Sequence, residues 1–314
     1  MNIFVTTFES VIVLLGIGLI GFIIIKKQVI PGQLIGFLSP LALEIALPSL
    51  IFVNIVQDFS PADMPDWWQL PLWWFLFTII AFSLTFLFMF ISKKEKRREF
   101  GASLFYQNAI FFPLAIFAGI FGDNSSYITS LFIFSLLYPA FFFSTNHLFF
   151  KNKAIKKIEL KKIFHPVLIA TIIAVFIKLG NFQYIIPDFI IRILAILGGM
   201  SIPLIMIILG GNIYNDYANK GKIELFEIIK FVSVKNIVFP LIFLGILYLL
   251  KPTYYIALII LLQSAVPPVT AVPLITERLG GDRSIVNQFI VGSFVFSLVS
   301  IPIMIYLFDL IFIS

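Results

Sequence analysis

The chain is 314 residues long; 60% of them are apolar, only 12% are charged, and the formal net charge is +6. A soluble protein carries about a quarter charged residues, and a chain with 38 Phe and mean hydropathy +1.06 cannot hide its apolar surface behind so few charges. The composition is that of a polytopic membrane protein, which excludes a soluble enzyme, a disordered tail and a coiled coil; with no Cys and only His147 and His165, it also excludes disulfides, thiolate chemistry and multi-His metal centres.

About 20 apolar residues cross the hydrocarbon core. On that rule ten transmembrane helices are expected, at roughly 4–25, 33–57, 70–91, 100–121, 126–149, 163–180, 186–211, 227–250, 254–277 and 285–310. The first carries Glu9 and has neither a basic n-region nor an A-x-A site, so it reads as a retained helix and not as a signal peptide. Counted with the ends of the adjoining spans, the loops after spans 1, 3, 5, 7 and 9 hold 18 of the 22 Lys and Arg; those after spans 2, 4, 6 and 8 hold only Lys178 and Lys251, and Arg192 and Lys235 fall deeper inside spans. The odd loops are therefore expected in the cytoplasm and both termini outside, in a multi-pass protein of the cell membrane. The same distribution explains the +6 as a topological signal, so no nucleic-acid partner is expected; the lipid bilayer is the partner. Between spans 2 and 3, Asp58, Asp63 and Asp66 lead into Trp67, Trp68, Trp73 and Trp74, all the tryptophans of the chain, which read as an outer interfacial belt.

Residues 1–150 and 163–314 form two halves of five spans, joined by the basic linker 151–162; an odd number of spans inverts the second half relative to the first. Pro48 and Pro203 are 155 residues apart, as are Pro113 and Pro268, and Gln107 and Gln263 are 156 apart. Spans 4 and 9 are the chemical focus. Span 4 places Gln107 and Asn108 ahead of Pro113, and span 9 places Gln263 and Ser264 ahead of Pro267, Pro268, Thr270 and Pro273. Proline removes a backbone donor and disfavours helix at the residue before it. Two broken helices are thus expected to meet, offering half-helix N-termini and amides to an anion; the alternative is a pair of kinks with internally bonded amides. Pro48 and Pro203, in less polar surroundings, read as kinks.

An ionisable side chain inside a span costs on the order of 2.5–3.5 kcal/mol and needs a reason. Lys235, about nine residues into span 8, reads either as a counter-charge for a carboxylate or as a fixed partner of a backbone carbonyl. Glu44, four residues before Pro48, reads as a proton carrier or as a neutral, hydrogen-bonded structural group. Glu9 and Arg192 are candidates for an ion pair, and His147 and His165 read as structural. No Gly-x4-Gly-Lys-Ser/Thr run occurs, which argues against ATP drive, and Gly280-Gly281-Asp282 lacks the second membrane Asp of an intramembrane protease. No enzyme, cofactor or metal is expected.

At these residues the sequence resembles the auxin efflux carrier family. Gln263-Ser-Ala-Val-Pro-Pro-Val-Thr-Ala-Val-Pro-Leu-Ile-Thr-Glu-Arg-Leu-Gly-Gly-Asp282 is similar to the family's ninth-span signature, Leu47-Pro48-Ser49-Leu50-Ile51-Phe52 to its second-span motif, and Ser201-Ile-Pro-Leu with Leu209-Gly210-Gly211 to its seventh. Lys235 with Val238-Phe239-Pro240 resembles the basic residue and proline of span 8. Span 4 departs, with Phe111 where relatives often carry Gly. The resemblance implies ten helices in two inverted five-helix repeats with spans 4 and 9 crossing as broken helices. It further implies a homodimerising scaffold of spans 1, 2, 6 and 7, and a mobile transport domain of spans 3–5 and 8–10. The expected function is secondary transport of a small organic anion by alternating access, with Gln107, Asn108, Pro113, Gln263, Ser264, Pro267, Pro268, Thr270 and Lys235 at the site. Protons are a candidate coupling ion through Glu44 or Lys235. A cation–proton antiporter on a similar scaffold and an anion sensor that does not transport are the rival readings.

Overall fold

The computed structural model describes residues 3–122, 125–150, 166–218 and 223–312. The linker 151–162 and His165 lie outside the described residues, as does the side chain of His147. Apart from one antiparallel bridge between Gln107 and Pro268, every regular element among the described residues is a helix.

Six helical runs are long and apolar enough to cross a membrane. They are α1 (Ile3–Lys26), α2 (Ile35–Asp58), α3 (Trp67–Ile91), the joined α9 (Asp188–Gly199) and α10 (Ser201–Ala218), α11 (Leu225–Leu250) and α14 (Arg283–Phe312). The remaining expected spans come as shorter pieces: α4 (Arg97–Phe105) and α5 (Phe111–Phe121), α6 (Ser126–Phe134) and α7 (Tyr138–Thr145), α8 (Pro166–Leu179), α12 (Tyr254–Ala265) and α13 (Val272–Arg278).

Prolines account for several local forms. Pro48 does not act as a plain kink: the turn ahead of it, Leu41–Ala46, is π-helical, and the same happens at Val234–Val238 ahead of Pro240. A wide turn absorbs the steric and hydrogen-bonding deficit that a proline creates in a continuing helix. Pro203 instead sits in the first turn of α10, where its missing N–H has no intrahelical acceptor in any case.

Lipid tails are as apolar as Leu, so helices in a bilayer associate through close packing and not through hydrophobic exclusion. Glycine permits the approach. A Cβ at Gly210 of α10 would lie 1.7 Å from the backbone oxygen of Gly18 in α1, and one at Gly198 of α9 would lie 2.8 Å from Leu50 Cα in α2. Gly119 of α5 meets Ser10 of α1 in the same way. Buried hydroxyls such as Ser10, Ser49, Ser135 and Thr171 donate to the carbonyl one turn back, which hides their polarity inside their own helix.

Polar bonds fasten two sets of helices. Lys178 of α8 donates to the carbonyls of Val56 and Gln57 at the end of α2. On the face bearing the basic loops, Ser92 Oγ donates to Glu227 Oε2 of α11 over 2.6 Å, and Lys93 pairs with Glu224. Lys96 pairs with Asp282, whose backbone N–H donates to Glu99 Oε1. Burial works against the Asp282 charge, but Lys96 and the backbone N–H of Ile285 hold the carboxyl below its ordinary value of 3.8; Lys96 in turn is held above 10.5 despite its own desolvation.

Two expectations are corrected here. Glu9 and Arg192 form no ion pair among the described residues: α1 packs on α10 while α9 packs on α2, which separates them. Trp74 is not an interfacial anchor but is 2% exposed, edge-on to Phe141 at 5.3 Å, while Trp68 is 55% exposed.

Candidate functional site

The two interrupted helices meet at their breaks. α4 stops at Phe105, residues 106–110 run non-helical, and α5 starts at Phe111 with Pro113 in its first turn. α12 stops at Ala265; Val266, the residue before Pro267, is extended (φ −70°, ψ 152°), as the steric demand of a following proline dictates. The strands of the breaks then pair: Asn108 N donates to Pro267 O over 2.8 Å, and Val269 N donates to Tyr106 O over 2.9 Å. Every backbone group so exposed in a bilayer interior needs a partner, and these two breaks supply each other.

Side chains settle the carbonyls that the prolines orphan. In an uninterrupted helix Ala109 O would accept from residue 113, and Ser264 O from residue 268; both are prolines and have no N–H. Gln263 Nε2 donates to Ala109 O over 2.6 Å instead, and Lys235 Nζ donates to Ser264 O over 3.1 Å. Lys235 lies in the π-helical turn of α11, is 1% exposed, and stands 5.5 Å from the Phe239 ring centroid. Its ammonium therefore faces both the negative end of α12 and an aromatic face. Gln107 Nε2 approaches Gln263 Oε1 at 3.4 Å, and Tyr138 Oη donates to Gln107 O. Asn108 Oδ1 accepts from the N–H groups of Phe111 and Phe112 at 3.2 and 3.4 Å, acting as the cap of α5. The amide groups expected to be open to an anion at this half-helix are thus engaged by Asn108.

Gln107, Asn108, Pro113, Gln263, Ser264, Pro267, Pro268 and Lys235 are all buried in this layer. Thr270 is half-buried and lines a cavity of about 360 Å³. That cavity runs between α2, α10 and α14 and reaches Phe111 and Thr270 at the two breaks. Glu44 stands apart: it belongs to the π-helical turn of α2 but is exposed on its outer side, while its neighbour Leu43 lines the cavity. A second cavity of about 370 Å³, between α1 and α5, includes Glu9.

Sequence reasoning missed three features. Tyr138 reads as one more aromatic in an apolar run. Asn236, beside Lys235, bonds to Ser293 (Oγ to Oδ1, 2.7 Å) and tethers α11 to α14; a buried amide next to a buried lysine was the available signal. Asn212, Arg283 and Asn287 line the 360 Å³ cavity.

The family model described as Membrane transport protein matches residues 6–159 and 152–305, together nearly the whole chain. The chain belongs to the auxin efflux carrier family of membrane transporters. No curated protein matches the carrier. Its helices and its family together make it a multi-pass membrane transporter.

Proposed function

We propose that the carrier moves a small organic anion across the cell membrane by alternating access, as a secondary transporter. The observation that carries this is the paired break: two interrupted helices joined by the Gln107–Pro268 bridge, with amides converging on it and a cavity reaching its edge. In this reading the ten spans form two inverted five-helix repeats, residues 1–150 and 163–314, with the linker 151–162 and spans 4 and 9 as the crossing pair. α1, α2 and α8–α10 make the scaffold, and α3–α7 with α11–α14 make the transport domain. The fastenings of α3 and α4 to α11 and α14, and of α8 to α2, support that partition.

In the substrate-bound state Asn108 and Gln263 exchange their internal bonds to the α5 N–H groups and Ala109 O for the anion at the breaks, with Gln107, Ser264, Thr270 and the proline-shaped backbone of Pro113, Pro267 and Pro268 around it; Lys235 balances its charge. Glu44, a carboxylate exposed inside a span, is costly in lipid. A homodimer through the scaffold covers it, and it is the candidate for proton coupling. Carboxylate counterflow in liposomes, with and without a pH gradient, tests the function. Transport by Asn108→Ala and Gln263→Ala proteins at the parent rate would refute the site. Both termini face outside in this scheme, and since the chain has no Cys, a single cysteine introduced at residue 28 tests it: labelling by an impermeant reagent from outside would overturn the topology.

A further inference from the structure

Each helix bordering the 360 Å³ cavity presents one face to it: residues 283, 287, 290 and 291 of α14, and 205, 208, 209 and 212 of α10. Polarity changes along both faces. At about 1.5 Å per residue, Arg283 and Val291 lie roughly 12 Å apart along α14. Arg283 and Asn287 occupy one end, Ile290 and Val291 the other; on α10, Asn212 stands at the same end and Ile205 at the far one. The polar end is the one next to the basic loops, and among the described residues Arg283 is the only charged side chain lining the cavity. Lys235, buried behind the breaks on Ser264 O, is not in its wall.

Arg283 already holds a carboxylate. Its Nη1 lies 2.8 Å from Glu277 Oε2, and the two side chains are 36% and 55% exposed. An ion pair this wet contributes little to stability, so exchanging one carboxylate for another there costs little. A guanidinium has five donors in a planar fork suited to a carboxylate, and Asn287, one turn on along α14, and Asn212 of α10 line the same cavity with side-chain amides. We propose, on the reading of the carrier as an anion transporter, that Arg283, Asn287 and Asn212 form an anion-receiving site at the mouth of the cavity. Glu277 is the resident carboxylate that an incoming anion displaces from Arg283. The site is separate from the paired breaks, and it selects for negative charge before the anion reaches the apolar wall of Ile205, Ile290 and Val291.

The two members of the ion pair then have opposite effects, which a merely structural salt bridge does not produce. With [14C]malonate and [14C]benzoate as probes, uptake is measured in oriented vesicles presenting either membrane face. Arg283→Gln raises the half-saturation concentration on the face bearing the basic loops by about tenfold, the loss of one charge-assisted contact. The maximal rate stays within about twofold, since the breaks are untouched. Arg283→Lys falls between, and Glu277→Gln lowers the half-saturation concentration because the internal competitor is gone. Thermal stabilisation of the detergent-solubilised carrier by the same anions provides a readout independent of turnover, and it weakens in Arg283→Gln. If both variants shift half-saturation in the same direction, or Arg283→Gln shifts neither readout while the parent transports, this site is wrong and the transport reading stands. If the parent neither transports nor is stabilised by either anion, both fail together.

Discussion

Replacing Gln263 by Leu keeps the volume of a side chain that is fully buried while removing its hydrogen bonds. Two groups lose a partner: Ala109 O, which accepts from Nε2 at 2.6 Å, and Gln107 Nε2, which reaches Oε1 at 3.4 Å. A buried polar group left unsatisfied costs about 1–3 kcal/mol. The bond to Ala109 O is short, while the contact to Gln107 lies beyond the usual range of about 2.7–3.2 Å, so most of the loss belongs to the carbonyl, and the substitution costs about 2–3 kcal/mol. For a protein of this size that lowers the midpoint of thermal unfolding by roughly 3–5 °C, read by fluorescence-detected gel filtration in detergent at one heating rate. Gln107→Leu keeps the bond to Ala109 O and costs about 1 kcal/mol or less, and the coupling energy in the double-mutant cycle is about 0.5 kcal/mol. Equal destabilisation by the two single variants, or a Gln263→Leu protein as stable as the parent, would refute the claim that this side chain repairs the carbonyl orphaned by Pro113.

Asn108→Ala removes the cap from α5 and costs about 1–2 kcal/mol in the same assay; a serine at this position, too short to span both N–H groups, restores only part. Gly210→Ala places a Cβ 1.7 Å from the backbone oxygen of Gly18, which neither helix can yield without separating, so the protein is expected to lose its monodisperse peak. Gly245→Ala, with nothing within 4 Å of the new methyl, is expected to match the parent or gain about 0.5–1 kcal/mol. Asp282 has a lowered pKa, so its contribution is complete above 3.8 and fades as pH falls through the folded value; Lys96 has a raised pKa, so its contribution is complete below 10.5 and fades as pH rises beyond it. Asp282→Asn is therefore expected to lower thermal stability by the same small amount, under about 1 kcal/mol, at about pH 5.5 and about pH 8.5. A difference between those two pH values would place another titrating group at this pair.

The membrane-length helices were legible because a span needs only enough consecutive apolar residues, and that property is local. The second break was legible for the same kind of reason: Pro267-Pro268 deletes two donors and forbids helix at Val266, whatever surrounds it. The first break shows the limit of that logic. It begins at Tyr106, seven residues before Pro113, and the proline marks the start of the next helix, not the end of the previous one. What ends α4 is the pairing of Tyr106 O and Asn108 N with Val269 N and Pro267 O of the opposite break, contacts so distant in sequence that no local pattern encodes them. The same holds for Glu44 and Trp74. Their burial depends on which face α8, α9 and α7 cover, and the hydrophobic pattern of an all-apolar helix does not say which face that is. The π-helical turns ahead of Pro48 and Pro240 are likewise a tertiary response to a proline kept inside a packed helix.

The two repaired carbonyls, Ala109 and Ser264, are 155 residues apart, the same interval as the prolines that orphan them. Yet one is served by a neutral amide and the other by an ammonium. The difference has a mechanical consequence. A fully buried amino group needs an acceptor whether or not it carries its proton, and here the last turn of α12 supplies it through Ser264 O. Drawing α12 away from α11 would strip Lys235 of that acceptor, at a cost of about 1–3 kcal/mol for the neutral amine and more for the charged one, whereas the neutral Gln263 contact would lose only a hydrogen bond. α11 and α12 are therefore bound to travel together, and Asn236–Ser293 extends the same constraint to α14. Across the 360 Å³ cavity, by contrast, this group faces α2 and α10 through the apolar walls Ile205, Ile290 and Val291, and no polar bond named above spans that gap.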